Sequence, residues 1–224
     1  MRAIIIAAGE ATRWNNYLGT PKHLIRIDGE PLLHRTVRLL KQYTDDIYIV
    51  AKDDPLYLID GATRYVPTFN YNAHADADKF LSSKELWNDK GRTVVFYGDV
   101  YFTEYAMHKI ASYWVKDWTL FCRPHASMYT GTPWGECFAQ SFYPEHIEQH
   151  EAKLMHIARL FKRGRIDRCG GWEHYRAMIG LRDDQVRSKQ IKGNIVTIDD
   201  FTDDFDYPDD YDRFIEMRQN FPKE

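Results

Sequence analysis

Short apolar runs alternate along the chain with segments whose apolar residues recur at helical spacing. Residues 3–8 (AIIIAA), 47–51 (IYIVA) and 93–97 (TVVFY) are continuous apolar or β-branched runs, the pattern of strands buried on both faces. Residues 31–41 (PLLHRTVRLLK) place leucines and a valine on one helical face, behind a proline suited to a first turn. The pattern predicts parallel strands connected by helices.

Two later helices are predicted in the same way. Thr103 is a candidate N-cap for a helix that carries Met107, and a further helix containing Leu154 is expected to end at Gly164. Strand, helix, strand, helix is the order of a doubly wound α/β sheet. Because no internal repeat or low-complexity linker interrupts the chain, we interpret residues 1–224 as one domain. Its least regular stretch, 121–193, is the predicted substrate-binding insertion.

The composition is that of a globular protein with an ordinary core. The 224 residues are 44% hydrophobic and 28% charged. Cys122, Cys137 and Cys169 form no CxxC pair and no zinc-ligand spacing, so we expect a reduced, cytoplasmic location. No apolar stretch reaches about 18 residues, so we expect no membrane insertion. The sequence leaves the oligomeric state open.

Charge is distributed unevenly, although the formal net charge is only -3. Eight of the fourteen residues from 199 to 212 are Asp and none is basic, whereas residues 153–192 contain eleven Lys or Arg and four Asp or Glu. The basic run of Lys162, Arg163, Arg165 and Arg168 could receive the acceptor phosphate or balance a helix dipole. We favour the dipole interpretation.

The first predicted strand leads directly into a loop of small residues, AAGEATR at positions 7–13. Ligands of open α/β sheets collect at the carboxyl ends of the strands, and consecutive N–H groups of such a loop form an anion-binding nest. Arg13 adds a planar guanidinium suited to phosphate oxygens. Neither the Walker pattern GxxxxGK[ST] nor the dinucleotide pattern GxGxxG is present. The candidate nucleotide-binding residues are Ala7, Ala8, Gly9, Glu10, Ala11 and Thr12.

A Pro-Lys pair at 21–22 follows this loop. Together, AIIIAAGEATRW and TPKHLIRIDGEPLL resemble the opening of the nucleotidyltransferases that activate sugar phosphates and related alcohols, the MobA-like superfamily with a glycosyltransferase-A-like fold. The resemblance implies a single Rossmann-like, doubly wound sheet that is mixed but mainly parallel. It also implies that Arg13 and Lys22 are catalytic contacts to a triphosphate. Ala11 stands where the family usually has its second glycine.

Two carboxylates complete the predicted site. A buried strand ending in Gly98-Asp99 places a carboxylate at the sheet edge, where it can hold a divalent cation beside phosphates, and the glycine leaves room for the nucleotide. The family's metal-binding Asp has the same GDxxF setting, so the resemblance implies that Asp99 binds Mg²⁺. The acidic segment resembles the family's D-I-D-T-P-E-D element, which implies Asp206 as a second metal ligand and Asp204 as a helper. Tyr207 replaces the usual Thr, so the hydroxyl helix cap is missing.

The other aspartates near the end of the acidic segment have a simpler interpretation. A helix beginning at Pro208 puts Asp209, Asp210 and Asp212 in its first turns, where the helix dipole favours negative charge. We interpret these three residues as a solvated helix start.

The substrate contacts are less clearly indicated. By position in the family, residues 70–87 contact the base and ribose, with Asp78, Lys79 and Ser82 as candidates. Residues 134–136 (WGE) and 170–173 (GGWE) are candidates for the acceptor pocket, because aromatic faces and carboxylates suit sugars. Core and turn roles fit these segments equally well.

These features predict a Mg²⁺-dependent enzyme that transfers a nucleoside monophosphate from an NTP, with CTP or UTP favoured, to a sugar phosphate or small phospho-alcohol and releases pyrophosphate. One alternative is a glycosyltransferase of related fold, although an enzyme that uses a nucleotide sugar has no triphosphate to hold. The other is a non-catalytic nucleic-acid-binding protein, which no RNP-like or helix-turn-helix pattern supports. HIEQH at 146–150 is not HExxH, and GxSxG is absent, so the sequence indicates neither a zinc nor a serine hydrolase.

Overall fold

A seven-stranded sheet organises the part of the chain that the computed structural model describes, residues 1–9, 11–68 and 76–220. The strands are β1 (Arg2–Ile6), β2 (Arg26–Ile27), β3 (Glu30–Pro31), β4 (Ile47–Val50), β5 (Thr63–Tyr65), β6 (Thr93–Tyr97), β7 (Val100–Tyr101), β8 (Thr119–Arg123), β9 (Glu136–Phe142), β10 (Ile195–Thr197) and β11 (Asp203–Asp204). The helices are α1 (Leu32–Leu40), α2 (Asp76–Leu81), α3 (Glu104–Ala111), α4 (Ile147–Lys162), α5 (Gly171–Met178) and α6 (Pro208–Asn220).

The strand order of the central sheet is β10-β8-β9-β6-β1-β4-β5. Strand β9 runs antiparallel to both of its neighbours, β6 and β8, while the other paired strands are parallel. The prediction of a mixed, mainly parallel sheet is therefore confirmed. The remaining short strands form two antiparallel pairs, β2 with β3 and β7 with β11.

Helices cover both faces of the sheet, as a doubly wound fold requires. Successive residues of β1 point to opposite faces. Ile5 packs in a core with Leu33 of α1, whereas Ile4 packs in a core with Phe80 of α2 and Leu154 of α4. All of these side chains are buried, which explains why β1 reads as an uninterrupted apolar run.

The local signals at the helix ends are also present in the structure. The Thr103 side-chain oxygen accepts a hydrogen bond from the Ala106 N–H at 2.9 Å at the start of α3. Helix α4 ends at Lys162, and Gly164 follows with a φ of 64°, a left-handed conformation that glycine adopts without steric cost. These two predicted boundaries are confirmed.

The C-terminal helix α6 packs over a third, smaller core beside the sheet. Phe214 of α6 is fully buried against Phe205, Tyr101 and Trp14. Trp14 follows the small-residue loop, so this core joins the end of the chain to the loop after β1. As a result, the acidic segment lies over the carboxyl end of the first strand.

The stretch 121–193 belongs in large part to the central sheet. It contains β9 and most of β8, together with α4 and α5. Its role as an acceptor-binding portion stays a prediction. Among the described residues, no helix is long and apolar enough to cross a membrane.

Candidate active site

The carboxyl ends of β1 and β6 meet at Gly98. Its N–H donates to the Ile6 carbonyl oxygen at 3.0 Å, and a Cβ built on Gly98 would lie 2.6 Å from the same oxygen. A side chain at this position would collide with the backbone of β1, so glycine is required for the close approach. Because Gly98 contacts the last residue of β1, the next residue, Asp99, lies in the turn directly beyond the end of β1. A nucleotide-binding role for Gly98 stays a prediction.

Lys22 joins the two predicted metal ligands. Its Nζ lies 2.5 Å from Asp99 Oδ2 and 3.5 Å from Asp206 Oδ1. Lys22 comes from the short 3-10 turn Lys22–Leu24, and Asp206 comes from the junction between β11 and α6. Three segments that are far apart in sequence therefore converge on one ammonium group.

The charges of the Asp99 and Lys22 pair reinforce each other. Burial lowers the pKa of Lys22, but the carboxylates of Asp99 and Asp206 outweigh that effect and hold the pKa above its ordinary value. Burial raises the pKa of Asp99, yet the Lys22 ammonium outweighs it and lowers this pKa to about 2. At neutral pH the pair is ionised, and its Asp99 side chain is still 21% exposed.

Arg13 lies on the outer side of the same cluster. Its Nη1 is 2.5 Å from Asp206 Oδ2, and its guanidinium carbon lies 5.4 Å from the centre of the Tyr207 ring. The Arg13 side chain is 54% exposed, so the guanidinium can reach an incoming anion as well as Asp206. The structure thus brings Arg13, Lys22, Asp99 and Asp206 together, as the sequence predicts.

The small-residue loop approaches this cluster from β1. Ala7 and Ala8 are buried, Gly9 is partly exposed and Thr12 is exposed. Ala11 has a φ of 49°, the left-handed conformation that glycine tolerates best, at the position where the family usually has glycine. Glu10, another predicted nucleotide contact, lies outside the described residues.

Helix α2 brings Lys79 to the loop. A Cβ built on Gly9 would lie 3.6 Å from Lys79 Nζ, which also pairs with Asp76 at 2.7 Å. Asp78 and Ser82 are buried instead. Asp78 pairs with Lys162 of α4 at 2.7 Å, and the Ser82 hydroxyl donates to the Lys79 carbonyl at 2.6 Å. Nucleotide binding by Asp78 and Ser82 stays a prediction, although the structure gives both side chains internal partners.

Two further carboxyl groups lie beside Asp206. Burial is the main reason that the pKa of Glu136 rises to about 8, and the neighbouring Asp206 and Asp203 add to it. Burial also raises the pKa of Asp204, with Glu136 and Asp206 contributing. Trp134, Glu136, Asp204 and Asp206 line an open cleft of about 280 Å³. A cation bound beside these carboxyl groups would lower their pKa values and favour their ionised forms.

The solvated interpretation of the α6 start is wrong for Asp210, whereas Asp209 and Asp212 are exposed. Asp210 Oδ2 accepts hydrogen bonds from the Asp206 N–H at 3.0 Å and the Tyr207 N–H at 2.7 Å. The Asp212 carboxylate accepts a hydrogen bond from the Tyr17 hydroxyl at 2.8 Å. An acidic residue three positions after a helix N-cap is the sequence signal that points to the Asp210 contacts.

The donor set fits a hard divalent cation such as Mg²⁺. Asp99 and Asp206, which are distant in sequence, each place a carboxylate oxygen near one positive group, the Lys22 ammonium. Mg²⁺ is usually held by one or two carboxylates together with substrate phosphates. Across the described residues, no group of three or more His, Cys, Asp or Glu forms a ready-made metal site. A metal at Asp99 and Asp206 would therefore depend on phosphate oxygens.

The two acceptor candidates meet in space. Trp172 Nε1 donates to the Gly135 carbonyl oxygen at 2.8 Å, which joins the WGE segment to the start of α5. The neighbouring Trp134 is 46% exposed, and the guanidinium carbon of Arg168 lies 5.9 Å from its ring centre. An exposed ring and a cation therefore lie beside the cleft that Glu136 lines.

Comparisons with known proteins show a family match and several similar structures. The family model of the MobA-like NTP transferase domain matches residues 3–163. Among solved structures, the CTP:phosphocholine cytidylyltransferase of Streptococcus pneumoniae is 16% identical, with a TM-score of 0.60 and coverage of 96% of this chain and 98% of that one. No curated protein gives a significant sequence match.

Two other solved structures are similar over nearly their whole length. A Bacillus anthracis protein described as a glucose-1-phosphate thymidylyltransferase is 14% identical, with a TM-score of 0.65 and coverage of 100% of this chain and 97% of that one. The 4-diphosphocytidyl-2C-methyl-D-erythritol synthase of Anaerococcus prevotii is 15% identical, with a TM-score of 0.57 and coverage of 97% of each chain. At these identities the likeness concerns the fold.

The family match covers the small-residue loop, Lys22 and Asp99, and it extends over more than half of the chain. Asp206 lies beyond the matched range, and only the fold brings it to the other three groups. The family model thus agrees with the sequence resemblance, and the solved structures share the fold. The chain belongs to the MobA-like NTP transferase family.

Proposed function

We propose that the protein transfers a nucleoside monophosphate from an NTP to a phosphorylated sugar or small phospho-alcohol and releases pyrophosphate. The observation that carries this proposal is the convergence of Lys22 and Arg13 on the carboxylates of Asp99 and Asp206. Two cations and two carboxylates beside a small-residue loop suit a polyphosphate and its metal ion.

In the proposed reaction, a phosphate oxygen of the acceptor forms a bond to the α-phosphorus, and the bond from that phosphorus to the β-phosphate oxygen breaks. The acceptor phosphate is mostly dianionic near neutral pH, since its second pKa is about 6, so no strong base is required. Catalysis then rests on positioning and on neutralising charge. Lys22 is suited to the α-phosphate, and Arg13 to the leaving pyrophosphate.

Mg²⁺, held by Asp99 and Asp206, would neutralise the phosphate oxygens around the reacting phosphorus. The Lys22 ammonium lies between these carboxylates in the structure. Lys22 must therefore exchange a carboxylate contact for a phosphate contact when the nucleotide enters. This exchange keeps the number of paired charges constant in a partly buried site, where an unpaired charge is costly.

The base and acceptor are proposed from fold likeness and cleft chemistry. Two of the structural neighbours are described as acting with cytidine nucleotides, which supports CTP, while UTP is the other pyrimidine candidate. Trp134 and Trp172 beside the cleft support an acceptor with a small organic group attached to its phosphate.

The test is a pyrophosphate-release screen of the four NTPs against a panel of sugar 1-phosphates and phospho-alcohols, with and without Mg²⁺. We expect Mg²⁺-dependent release with a pyrimidine NTP and one acceptor class. A thermal-shift series with each NTP adds a binding readout, because a ligand at 100 times its Kd stabilises the folded state by about 2.7 kcal/mol. Stabilisation by nucleotide sugars alone, with no pyrophosphate release from any pair, would contradict the proposal and favour a glycosyltransferase.

A further inference from the structure

The backbone around Asp206 is held by three consecutive N–H groups. The Phe205 N–H donates to the Asp99 carbonyl oxygen at 3.2 Å, which ties the main chain of Asp99 to the residue directly before Asp206. The Asp206 and Tyr207 N–H groups both donate to Asp210 Oδ2, at 3.0 and 2.7 Å. The backbone on either side of the Asp206 side chain is thereby fixed.

The Asp210 contacts replace the cap that the sequence lacks. A Thr at position 207 could accept a hydrogen bond from an N–H in the first turn of α6, but a tyrosine side chain cannot serve in this way. Asp210 provides the other half of a capping box, in which a side chain in the first turn accepts a hydrogen bond from the N-cap N–H. Its carboxylate accepts from the N-cap N–H of Tyr207 and also from the N–H of Asp206. The helix start is therefore anchored directly to the residue that faces Lys22.

We propose that Asp210 is a positioning residue, whose one carboxylate oxygen fixes the backbone of Asp206 so that the Asp206 side chain faces Lys22 and the nucleotide's metal ion. This inference rests on the proposed function for its catalytic consequence. Asp210 needs no charge for this role, because a single oxygen atom accepts both hydrogen bonds. Asp209 is the natural comparison, since it is exposed on the same helix turn.

The test uses four variants of the full chain. Asp210→Ala removes the acceptor, Asp210→Asn keeps an oxygen without the charge, and Asp209→Asn removes a neighbouring charge. The double variant Tyr207→Thr with Asp210→Ala restores a hydroxyl cap for α6 but gives the Asp206 N–H no acceptor.

We expect Asp210→Ala to lower kcat by about tenfold to a hundredfold, the cost of a small misplacement of a catalytic group, with less change in KM for the NTP. The kcat values of Asp210→Asn and Asp209→Asn should stay within about threefold of the wild-type value, which corresponds to less than about 1 kcal/mol. The double variant should recover the melting temperature but not kcat. Mn²⁺ affinity in the presence of the NTP should fall together with kcat.

Three outcomes of the kinetic and melting measurements would overturn the proposal. They are wild-type turnover in Asp210→Ala, recovery of kcat together with stability in the double variant, and an Asp210→Asn variant as impaired as Asp210→Ala. The first two would leave Asp210 as an ordinary helix cap, and the third would make its charge the cause.

Hydrogen exchange separates this inference from the proposed function. The Asp206 and Tyr207 amides should lose protection in Asp210→Ala and keep it in Asp210→Asn, whether or not the protein turns over any substrate. If the wild type releases no pyrophosphate with any pair, the proposed function fails, and these amides together with Mn²⁺ affinity still decide the role of Asp210. Unchanged protection in Asp210→Ala would refute that role.

Discussion

Two aspartates three residues apart in the acidic segment meet opposite environments. Asp203 is fully buried, with Arg123 at 2.7 Å and further hydrogen bonds from the Ser127 and Thr130 hydroxyls. Asp206 is 27% exposed and has Lys22 and Arg13 as its cationic partners. One carboxylate is saturated by the protein itself, and the other keeps access to solvent.

The difference identifies the segment's two roles. The Arg123–Asp203 pair joins β8 to β11 in the interior, where breaking a pair leaves an uncompensated charge. The Asp206 cluster is partly open to solvent, since the Arg13 side chain is 54% exposed and the Asp206 side chain 27%, so its contacts can be exchanged for contacts to an incoming ligand. We therefore expect damage at Asp203 to appear as lost stability and damage at Asp206 to appear as lost turnover.

The largest expected effect tests the buried side of this comparison. Asp203→Ala should lower the free energy of unfolding by about 3–5 kcal/mol, because it leaves Arg123, with a side chain 1% exposed, without its counter-ion. Denaturant titration measures the change. Asp199→Ala is the control, since that side chain is 65% exposed and should shift stability by no more than about 0.5 kcal/mol. A small loss in Asp203→Ala would contradict the distinction.

The next prediction tests the open side. Asp99→Asn and Asp206→Asn should each lower turnover by about a hundredfold to a thousandfold, or about 2.7–4 kcal/mol, the range for losing one electrostatic contact to a transition state. Circular dichroism and melting should show that the fold persists. Asp45→Asn, on an exposed side chain far from the cluster in sequence, is the control. Pyrophosphate release at the wild-type rate from either variant would remove the metal-site proposal.

A third region, around His150 and His174, extends the comparison. Burial keeps these two imidazoles neutral, whereas the aspartates above are charged and paired with cations. His150 Nδ1 accepts from Trp118 Nε1 at 2.9 Å, and His174 Nδ1 lies 3.0 Å from Gln140 Oε1. Burial lowers the pKa of His174 to about 3 and that of His150 well below its ordinary value.

Acid should therefore destabilise the protein through these histidines. The pKa of each is lower in the folded than in the unfolded state, so the unfolded state binds more protons as the pH falls below about 6.5. The stabilisation is complete above that pH, and about 2 kcal/mol per imidazole is lost by pH 5. Unfolding measured at pH 7 and pH 5 should show the loss reduced in His174→Phe. An equal loss in both proteins would contradict the assignment.

The smallest expected effect concerns the loop on the open side. Ala11→Gly should stabilise the protein by about 0.5 kcal/mol, since relief of the left-handed conformation outweighs the added freedom of the unfolded chain. Ala152→Gly, at an exposed position inside α4, should instead destabilise by about 1 kcal/mol. If both substitutions destabilise equally, the φ of Ala11 carries no strain.

The sequence predicts the fold class and the candidate site residues Arg13, Lys22, Asp99 and Asp206, because each prediction rests on a pattern of neighbouring residues. The apolar run of β1, the loop after it and the Gly98-Asp99 ending can all be read from neighbouring residues. The reversed direction of β9 cannot, since a buried antiparallel strand has the same apolar character as a parallel one. Strand direction depends on which partners the strand meets.

The contacts of individual site residues also depend on partners that are distant in sequence. Asp78 and Lys79 are adjacent in sequence, but the phase of α2 points one into the helix interface and the other toward the loop. Asp203 gave no local signal, because its partner Arg123 is 80 residues away. Asp210 carries a local signal, its position in the first turn of α6, where an acidic side chain can accept hydrogen bonds from the N–H groups that precede the helix.

The ion pair between Arg13 and Asp206 joins residues 193 positions apart, and this sets when the candidate site can be completed. Contacts between such distant positions form after the local ones, since a long loop must first be closed. During synthesis at roughly 5–20 residues per second, the small-residue loop emerges on the order of ten to forty seconds before its partner carboxylate. A growing chain therefore carries the half of the candidate site that contains the small-residue loop long before it can acquire the half that contains Asp206.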